Sequence, residues 1–152
     1  KLLGFRYFNI FGPRQDPDGP YAAVIPLFVK GILKRSPVYI NGDGEQTRDF
    51  TFVENAVQIN IKGMLTSNEQ ALNKVYNVAV GDRFSVNYLY ETCKSQLNSD
   101  WEATYREPRS GDIRHSQADI SLATKLLGYQ PTKNFEAGLI ETINYFKSIY
   151  SK

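Results

Sequence analysis

The hydrophobic positions of the chain fall into short runs separated by turns rich in glycine and proline. Leu2 to Phe11 has the aromatic and β-branched residues of a buried strand. From Ala22 to about Arg35 the apolar side chains recur at helical spacing, with Pro26 near the first turn, and 37–41 has the pattern of another short strand. The first part of the chain therefore predicts a strand, a helix and a strand in succession.

The same alternation continues along the rest of the chain. Val53, Val57, Ile61 and Met64/Leu65 recur at helical spacing and predict an amphipathic helix. The remaining predicted elements are a strand over 75–79, a helix over 87–97, a strand over 103–106, a helix opened by Asp119 and closed by Gly128, and a helix from 135 to about 150. Strands that alternate with helices indicate an α/β fold.

The composition excludes several classes of protein. The chain has 152 residues, 41% hydrophobic and 22% charged, with a formal net charge of +2, as expected for one soluble domain with a core that needs no disulfides. The chain contains no run of Lys and Arg residues of the kind that binds nucleic acids or anionic membranes, and no segment has the pattern of a signal peptide. Cys93 and His115 are single residues of their types, which argues against a zinc site and a catalytic triad. We expect a cytoplasmic protein.

Three loops that contain glycine each carry an arginine, namely Arg14, Arg48 and Arg109. Glycine backbones allow close approach and guanidinium groups bind phosphates, so these loops suit an anionic ligand such as a diphosphate. The alternative is that each arginine is an ordinary surface residue on a turn. Neither G-x-G-x-x-G nor a P-loop sequence is present, so the chain encodes no dinucleotide cradle of its own.

Taken together and in order, the loop sequences resemble a known family. RYFNIFGPR (6–14), VYINGDGEQTRDF (38–50), YNV (76–78) and RSGD (109–112) are similar to the C-terminal half of extended short-chain dehydrogenase/reductases that act on nucleotide sugars, and most similar to the UDP-N-acetylglucosamine 4-epimerase subgroup. The resemblance implies the C-terminal portion of a Rossmann-type α/β protein. Residues 1–152 would be a single, small mixed α/β substrate-binding domain, with 1–10 a late strand of an N-terminal Rossmann domain.

The resemblance also bears on cofactor and catalysis. In that family the Rossmann domain binds NAD and supplies a catalytic Tyr-x-x-x-Lys. Tyr90 and Lys94 have this spacing, but they lie in a predicted helix far downstream of the family's position, so we assign them no catalytic role. The resemblance therefore implies a fragment that is inactive alone, from a homodimeric parent isomerase that serves polysaccharide biosynthesis. A strand without its sheet predicts that the fragment self-associates.

The resemblance further implies a role for individual residues. For the nucleotide, it places Ala23 and Val24 against the nucleotide, Tyr39 and Asn41 beside the uracil, and Asp112 on the ribose hydroxyls. Arg48 and Arg109 would bind the diphosphate, Asn9 and, less directly, Gln15 would lie near the diphosphate or sugar, and Ser116 would lie in the sugar pocket. Tyr7 and Phe8 would lie at the nicotinamide end of NAD. Alternative roles remain open for some of them, since Val24 and Tyr39 could belong to the core and Asp112 could cap a turn.

Ser116 bears on which sugar is bound. Galactose-type epimerases of this family have a bulky tyrosine seven positions after the equivalent of Arg109, where this chain has serine. A small side chain leaves room for a 2-acetamido group, although a different loop path is the alternative explanation. The resemblance thus implies an NAD-dependent epimerase of UDP-GlcNAc and UDP-GalNAc that acts through a transient 4-keto sugar. A UDP-glucose or UDP-glucuronate 4-epimerase, a nucleotide-sugar 4,6-dehydratase and a non-catalytic UDP-sugar-binding fragment remain alternatives.

Overall fold

The structure, a computed structural model, describes residues 1–19 and 23–150. The strands are β1 (Leu3–Tyr7), β2 (Ile10–Phe11), β3 (Tyr39–Asn41), β4 (Thr47–Arg48), β5 (Thr51–Phe52), β6 (Lys74–Val78), β7 (Phe84–Ser85) and β8 (Thr104–Arg106). The α-helices are α1 (Val24–Lys34), α2 (Val53–Leu65), α3 (Val86–Gln96), α4 (Ser121–Leu127) and α5 (Phe135–Tyr150). The predicted α/β alternation is confirmed, while Ala22, the predicted start of the first helix, lies outside the described residues.

The strands associate in pairs. β1 pairs with β6, β2 with β5 and β3 with β8, all in parallel, whereas β4 and β7 are antiparallel. The single strand predicted over 2–11 is interrupted at Asn9, whose φ of 36° is a left-handed conformation that few residues other than glycine adopt. The chain therefore turns between β1 and β2, and Asn9 lies at that turn.

The core consists of two clusters of buried side chains. The larger one lies among α1, α3 and α5 and contains a group of aromatic rings, with the ring centroids of Phe84 and Phe135 4.4 Å apart and those of Phe50 and Phe135 5.4 Å apart. The smaller one packs α2 and α4 on the β1–β6 pair around Ile59 and Tyr76. The larger cluster supports the loops that carry the candidate site.

The buried face of α2 differs from the predicted one. The helix forms as expected, but Val57, Ile61, Met64 and Leu65 are all exposed, Met64 and Leu65 by 77% and 78%. The face that packs inward contains Asn55, Ala56, Ile59 and Gly63. The apolar periodicity therefore identified the helix, but apart from Val53 its apolar stripe is not the face that packs on the core.

The glycine-containing loop that carries Arg48, residues 42–50, is also more ordered than predicted. Thr47 and Arg48 form β4 inside it, paired with Ser85 and Phe84 of β7. Gly44 permits the turn before β4 because its φ is +76° and because an added Cβ would lie 1.9 Å from the Asn87 side-chain oxygen. This pairing fixes Arg48 on a strand rather than on a free loop.

Candidate functional site

A cavity of about 270 Å³ opens beside the turn at Asn9, strand β2, the start of α1 and strand β3. Its lining includes eight of the residues predicted to bind ligand, which are Asn9, Ala23, Val24, Tyr39, Asn41, Arg48, Arg109 and Asp112. Buried apolar side chains complete the wall, among them Ile25, Phe28, Ile40 and Phe50. The cavity therefore combines an apolar wall with two guanidinium groups and a carboxylate, as many small-molecule sites do.

A second cavity, of about 510 Å³, adjoins the first. The two share Asn41, Gln46, Arg109 and Asp112, and the second is otherwise lined mainly by the loop after β8. Arg114 of that loop holds Asp43 of the glycine loop through two hydrogen bonds of 2.7 and 2.8 Å to the two carboxylate oxygens. The Arg114 guanidinium holds the pKa of Asp43 at about 2, well below its usual value. An ion pair thus joins the two loops on either side of the site.

Arg48 is held by its own protein. Its Nη1 donates to the main-chain oxygens of Thr47 at 2.8 Å and Ile113 at 2.6 Å, and its Nη2 is paired with the carboxylate of Asp112. The pair is partly shielded, with the Arg48 side chain 18% exposed and that of Asp112 33%. Arg48 therefore fastens the loop after β8 over the cavity, a role that the sequence reasoning did not identify.

Arg109 contrasts with Arg48. The side chain lines both cavities, and within residues 1–19 and 23–150 it has no hydrogen bond or ion pair. A guanidinium without a protein partner at a cavity wall is available to a bound anion, and its fork geometry suits a phosphate or a carboxylate.

Asp49 is a buried carboxylate behind the cavity. Its oxygens accept from the backbone N–H groups of Val80 and Gly81 at 3.0 Å and of Ala118 at 3.3 Å. Its main-chain oxygen accepts from Nδ2 of Asn9 at 3.0 Å. Burial raises the pKa of Asp49, while the three N–H donors oppose that rise. Sequence reasoning missed this residue, although an acid directly after Arg48 at the end of the glycine loop was a visible signal.

Tyr39 and Asn41 meet a residue that the sequence did not single out. The guanidinium carbon of Arg106 lies 4.9 Å from the centroid of the Tyr39 ring, and its Nε donates to Oδ1 of Asn41 at 2.6 Å. The main-chain oxygen of Asn41 accepts from Nε2 of Gln46 at 2.9 Å. Arg106 thus joins the two residues predicted to flank a base.

Four predicted residues lie outside the lining of these cavities. Nε2 of Gln15 donates to the main-chain oxygen of Ile10 at 3.2 Å. The backbone N–H of Ser116 donates to the main-chain oxygen of Thr47 at 3.0 Å. Tyr7 donates its hydroxyl to Oδ1 of Asn60 at 3.0 Å, and the backbone N–H of Phe8 donates to the main-chain oxygen of Val78. None of these four residues is part of the cavity lining, and their predicted roles remain predictions.

Tyr90 and Lys94 have structural roles. Tyr90 is buried in the core and donates to the main-chain oxygen of Trp101 at 2.5 Å, and burial raises its pKa to about 12. Lys94 is paired with Glu102. Within the part of the chain that the structure describes, no group of three His, Cys, Asp or Glu side chains is placed to hold a metal, and no helix is both long and apolar enough to span a bilayer.

Comparisons with known proteins find similar sequences over most of this chain. The family described as the NAD dependent epimerase/dehydratase family matches residues 1–79. Among curated relatives, a putative UDP-glucose 4-epimerase of Methanocaldococcus jannaschii is 35% identical over 94% of this chain and 45% of its own length. A UDP-N-acetyl-alpha-D-glucosaminuronate decarboxylase of Bacillus cytotoxicus is 32% identical over 95% of this chain and 46% of its own length. The chain thus spans about half the length of the curated relatives it matches.

Solved structures show the same fold. A UDP-glucose 4-epimerase with UDP-glucose from Thermotoga maritima has a TM-score of 0.89 and 37% identity, covering 97% of this chain and 46% of the other. A UDP-N-acetylglucosamine 4-epimerase from Methanobrevibacter ruminantium, in complex with UDP-N-acetylmuramic acid, has a TM-score of 0.88 and 42% identity with the same coverage. The α/β fold of this chain therefore corresponds to part of a Rossmann-type epimerase fold.

Proposed function

This chain belongs to the NAD dependent epimerase/dehydratase family, and from that premise we propose that it is the UDP-sugar-binding portion of an NAD-dependent UDP-N-acetylglucosamine 4-epimerase. The intact enzyme would interconvert UDP-GlcNAc and UDP-GalNAc through a 4-keto sugar. One observation carries the proposal: a single cavity gathers Arg48, Arg109 and Asp112 with Tyr39 and Asn41 from distant parts of the chain.

Each part of the cavity suits one part of the substrate. Arg109 takes the diphosphate, Asp112 accepts from the ribose hydroxyls, and Tyr39 and Asn41 flank the uracil, while Asn9 faces the sugar end. Epimerisation requires the 4-keto sugar to turn, so the sugar pocket has to be permissive and affinity has to come from the part of the substrate that does not react. Anchoring the diphosphate and the base supplies that affinity and leaves the sugar free to turn.

The cofactor is proposed to bind mainly to a domain outside this chain. NAD, when bound, supplies the hydride acceptor for sugar C4. Tyr7 is the last residue of β1 and Phe8 follows it, at the carboxyl end of the strand where ligands of parallel sheets bind, and both would contact the nicotinamide end of NAD. No glycine-rich dinucleotide fingerprint is present in the chain, which fits a peripheral contact rather than a complete cofactor site.

We propose further that residues 1–152 are one substrate-binding domain and that 1–10 are a late strand of a Rossmann domain. Within the described residues β1 pairs only with β6, whereas parallel sheets are normally wider and covered on both faces. On this proposal the fragment is inactive alone, and the intact parent is a cytoplasmic homodimer whose product feeds polysaccharide biosynthesis.

The acetylated sugar is favoured over its rivals by two observations. Ser116 is small, and its backbone is tied to Thr47, the neighbour of Arg48, so it borders the site. The chain is 42% identical to a UDP-N-acetylglucosamine 4-epimerase and 28% identical to a UDP-glucuronic acid 4-epimerase from Bacillus cereus. The 37% identity to a UDP-glucose 4-epimerase keeps that sugar as the nearest alternative.

Turnover of the intact protein with UDP-GlcNAc and UDP-glucose in parallel, with C4 epimers resolved by NMR, tests the proposal. We expect the acetylated pair to be strongly preferred and Ser116→Tyr to reduce that preference, with Ser110→Tyr as a control on the same loop. Equal turnover of both sugars would retain the epimerase and remove Ser116 as the determinant. Absence of epimers with both sugars would instead favour a dehydratase or another nucleotide sugar.

A further inference from the structure

Asp49 is a carboxylate that is fully buried and held by backbone groups alone. Within residues 1–19 and 23–150 no Lys, Arg or His side chain pairs with it. Its three partners are the N–H groups of Val80, Gly81 and Ala118. Burial of a charged group is costly unless hydrogen bonds compensate it, and bonds to a charged acceptor are stronger than neutral ones. The Asp49 side chain therefore fastens its own segment firmly to two others.

The segment around Asp49 belongs to the wall of the first cavity. Arg48 and Phe50, its neighbours in sequence, both line that cavity, as does Asn9. Nδ2 of Asn9 donates to the main-chain oxygen of Asp49 at 3.0 Å, and the N–H of Thr51 donates to the main-chain oxygen of Asn9 at 3.2 Å. A displacement of Asp49 would therefore move the cavity wall on both sides of it, together with Asn9.

The segment that Asp49 holds lies at the edge of the β1–β6 pair. Val80 and Gly81 come directly after the carboxyl end of β6, which is Val78. The N–H of Phe8, after the carboxyl end of β1, donates to the main-chain oxygen of Val78 at 3.0 Å. Neither Val80 nor Gly81 is part of the lining of the first or the second cavity. Asp49 thus links the cavity wall directly to the carboxyl edge of this strand pair.

We propose that Asp49 is a positioning residue that fixes the distance between the substrate cavity and the carboxyl edge of the β1–β6 pair. The inference rests on the proposed function, because this distance matters when a substrate in the cavity reacts with a cofactor at that edge. Reacting atoms have to approach to about 3–3.5 Å, and a misplacement of about 1 Å lowers a rate by about a hundredfold. A firm link between the two places therefore serves the chemical step more than it serves binding.

Asp49→Asn tests the inference in the intact protein. The variant keeps the shape of the side chain but turns an amide group toward an N–H donor, so at least one of the three bonds is lost. We expect kcat for epimerisation of UDP-GlcNAc to fall by about tenfold or more, and KM and the dissociation constant of UDP to change by less than about threefold. A fall in kcat without a rise in KM is the signature of misplaced reacting groups.

A second readout does not depend on turnover. It is an NMR titration of the isotopically labelled chain with UDP. Because Asp49 is continuous with Arg48, UDP in the cavity should shift the amide signals of Val80 and Gly81, although neither residue lines that cavity. Asp49→Asn should still bind UDP and should lose most of this shift. A side chain that only stabilises the fold would not transmit the presence of the ligand.

Tyr90→Phe is the matched control. Tyr90 is 2% exposed, and its hydroxyl donates to the main-chain oxygen of Trp101 at 2.5 Å, so the variant also loses a buried hydrogen bond. It should lower the melting temperature, as Asp49→Asn does. It should leave kcat and the UDP-induced shifts of Val80 and Gly81 unchanged.

The outcomes separate this inference from the proposed function. If the unmodified protein neither binds UDP nor forms epimers, the proposed function fails and the inference with it. If UDP binds without shifting the signals of Val80 and Gly81, if Asp49→Asn keeps its kcat, or if Tyr90→Phe lowers kcat equally, the inference is wrong and UDP binding stands. Should Asp49→Asn not fold, the presence or absence of those shifts in the unmodified chain decides.

Discussion

At the scale of single residues, the two arginines of the cavity have different roles despite their similar sequence context. Arg48 has three hydrogen-bond partners within the protein, including Asp112, and so contributes to the order of the loop after β8. Arg109 keeps its guanidinium available at the cavity wall. Each loop sequence has an arginine near a glycine, and this pattern alone does not distinguish an arginine that binds within the protein from one whose guanidinium is available to a ligand.

Arginine substitutions should separate these roles. We expect Arg109→Ala to weaken UDP binding by about tenfold or more and to leave thermal stability almost unchanged, because the charge-assisted hydrogen bonds to the ligand are lost and none within the protein. Arg48→Ala should weaken binding and also lower the melting temperature, since it leaves Asp112 without its partner. Calorimetric titration and thermal melts of both variants check this contrast, and equal melting-temperature losses would contradict it.

Asp43 predicts a pH dependence at the loops that flank the site. Its pKa is about 2 in the folded chain, below the ordinary value of 3.8, so the ion pair with Arg114 favours folding above about pH 4 and loses that effect as pH falls toward 2. We expect NMR titration of the Asp43 carboxyl to give this low value. Arg114→Gln should return the pKa toward 3.8, and a low value that persists in the variant would assign the shift to the backbone instead.

At the scale of elements, periodicity predicted where helices and strands lie better than which faces they bury. Apolar residues at positions 57, 61, 64 and 65 gave a consistent helical stripe, yet α2 packs through Asn55, Ala56, Ile59 and Gly63. Asn55 is buried because its Oδ1 accepts from the backbone N–H groups of Thr132 and Lys133 and its Nδ2 donates to the Lys133 oxygen. The local sequence pattern does not contain such long-range partners. In that pattern a buried polar residue such as Asn55 therefore has the same appearance as a solvent-facing one.

Two isoleucines on α2 test the assignment of its faces. Ile59 is fully buried, and Ile59→Ala should lower the free energy of unfolding by about 2–5 kcal/mol through lost burial and a cavity. Ile61 is 46% exposed, and Ile61→Ala in the same chain should change stability by about 0.5 kcal/mol or less. Chemical denaturation of both variants provides the measurement. A larger loss for Ile61 than for Ile59 would restore the face that periodicity predicted.

Asp49 connects elements that are far apart in sequence, and its substitution should affect several of them. Asp49→Asn keeps the shape of the side chain but replaces one acceptor oxygen with an amide that faces an N–H donor. We expect a loss of about 1–3 kcal/mol in unfolding free energy and faster amide exchange at Val80, Gly81 or Ala118. Glu91→Gln, at an exposed position of α3, is the control and should change neither quantity.

At the scale of the whole molecule, the sequence predicted the α/β class and half of the residues that line the first cavity. Tyr39, Asn41, Arg48, Arg109 and Asp112 were accessible because their loop motifs resemble those of a family. Arg106 and Asp49 were not, because each acts through contacts that only the strand register and the loop packing create. Residues proposed to line a ligand site lie in local motifs, whereas those that position them depend on the tertiary fold.

The exposed stripe of α2 and the edge of β1 give the last prediction, which concerns association. Gly63 packs against Phe5 and Leu3, so α2 covers one face of β1 and presents Ile61 and Met64 outward. Within the described residues β1 has β6 as its one neighbour, which leaves its second edge unpaired. An unpaired strand edge beside an exposed apolar stripe favours pairing with another chain.

We therefore expect the isolated chain to self-associate at concentrations of about 0.1 mM, in the range where exposed edges and apolar surface drive association. Ile61→Lys with Met64→Lys places two charges on the stripe without touching the core and should increase the monomer fraction in sedimentation velocity. Ile140→Lys with Ile149→Lys, at two exposed positions of α5, adds the same charge and is the matched control. A monodisperse monomer of the unmodified chain would contradict self-association. An equal effect of the control would show that α2 and β1 do not provide the contact, because a general increase in net charge would then explain the change.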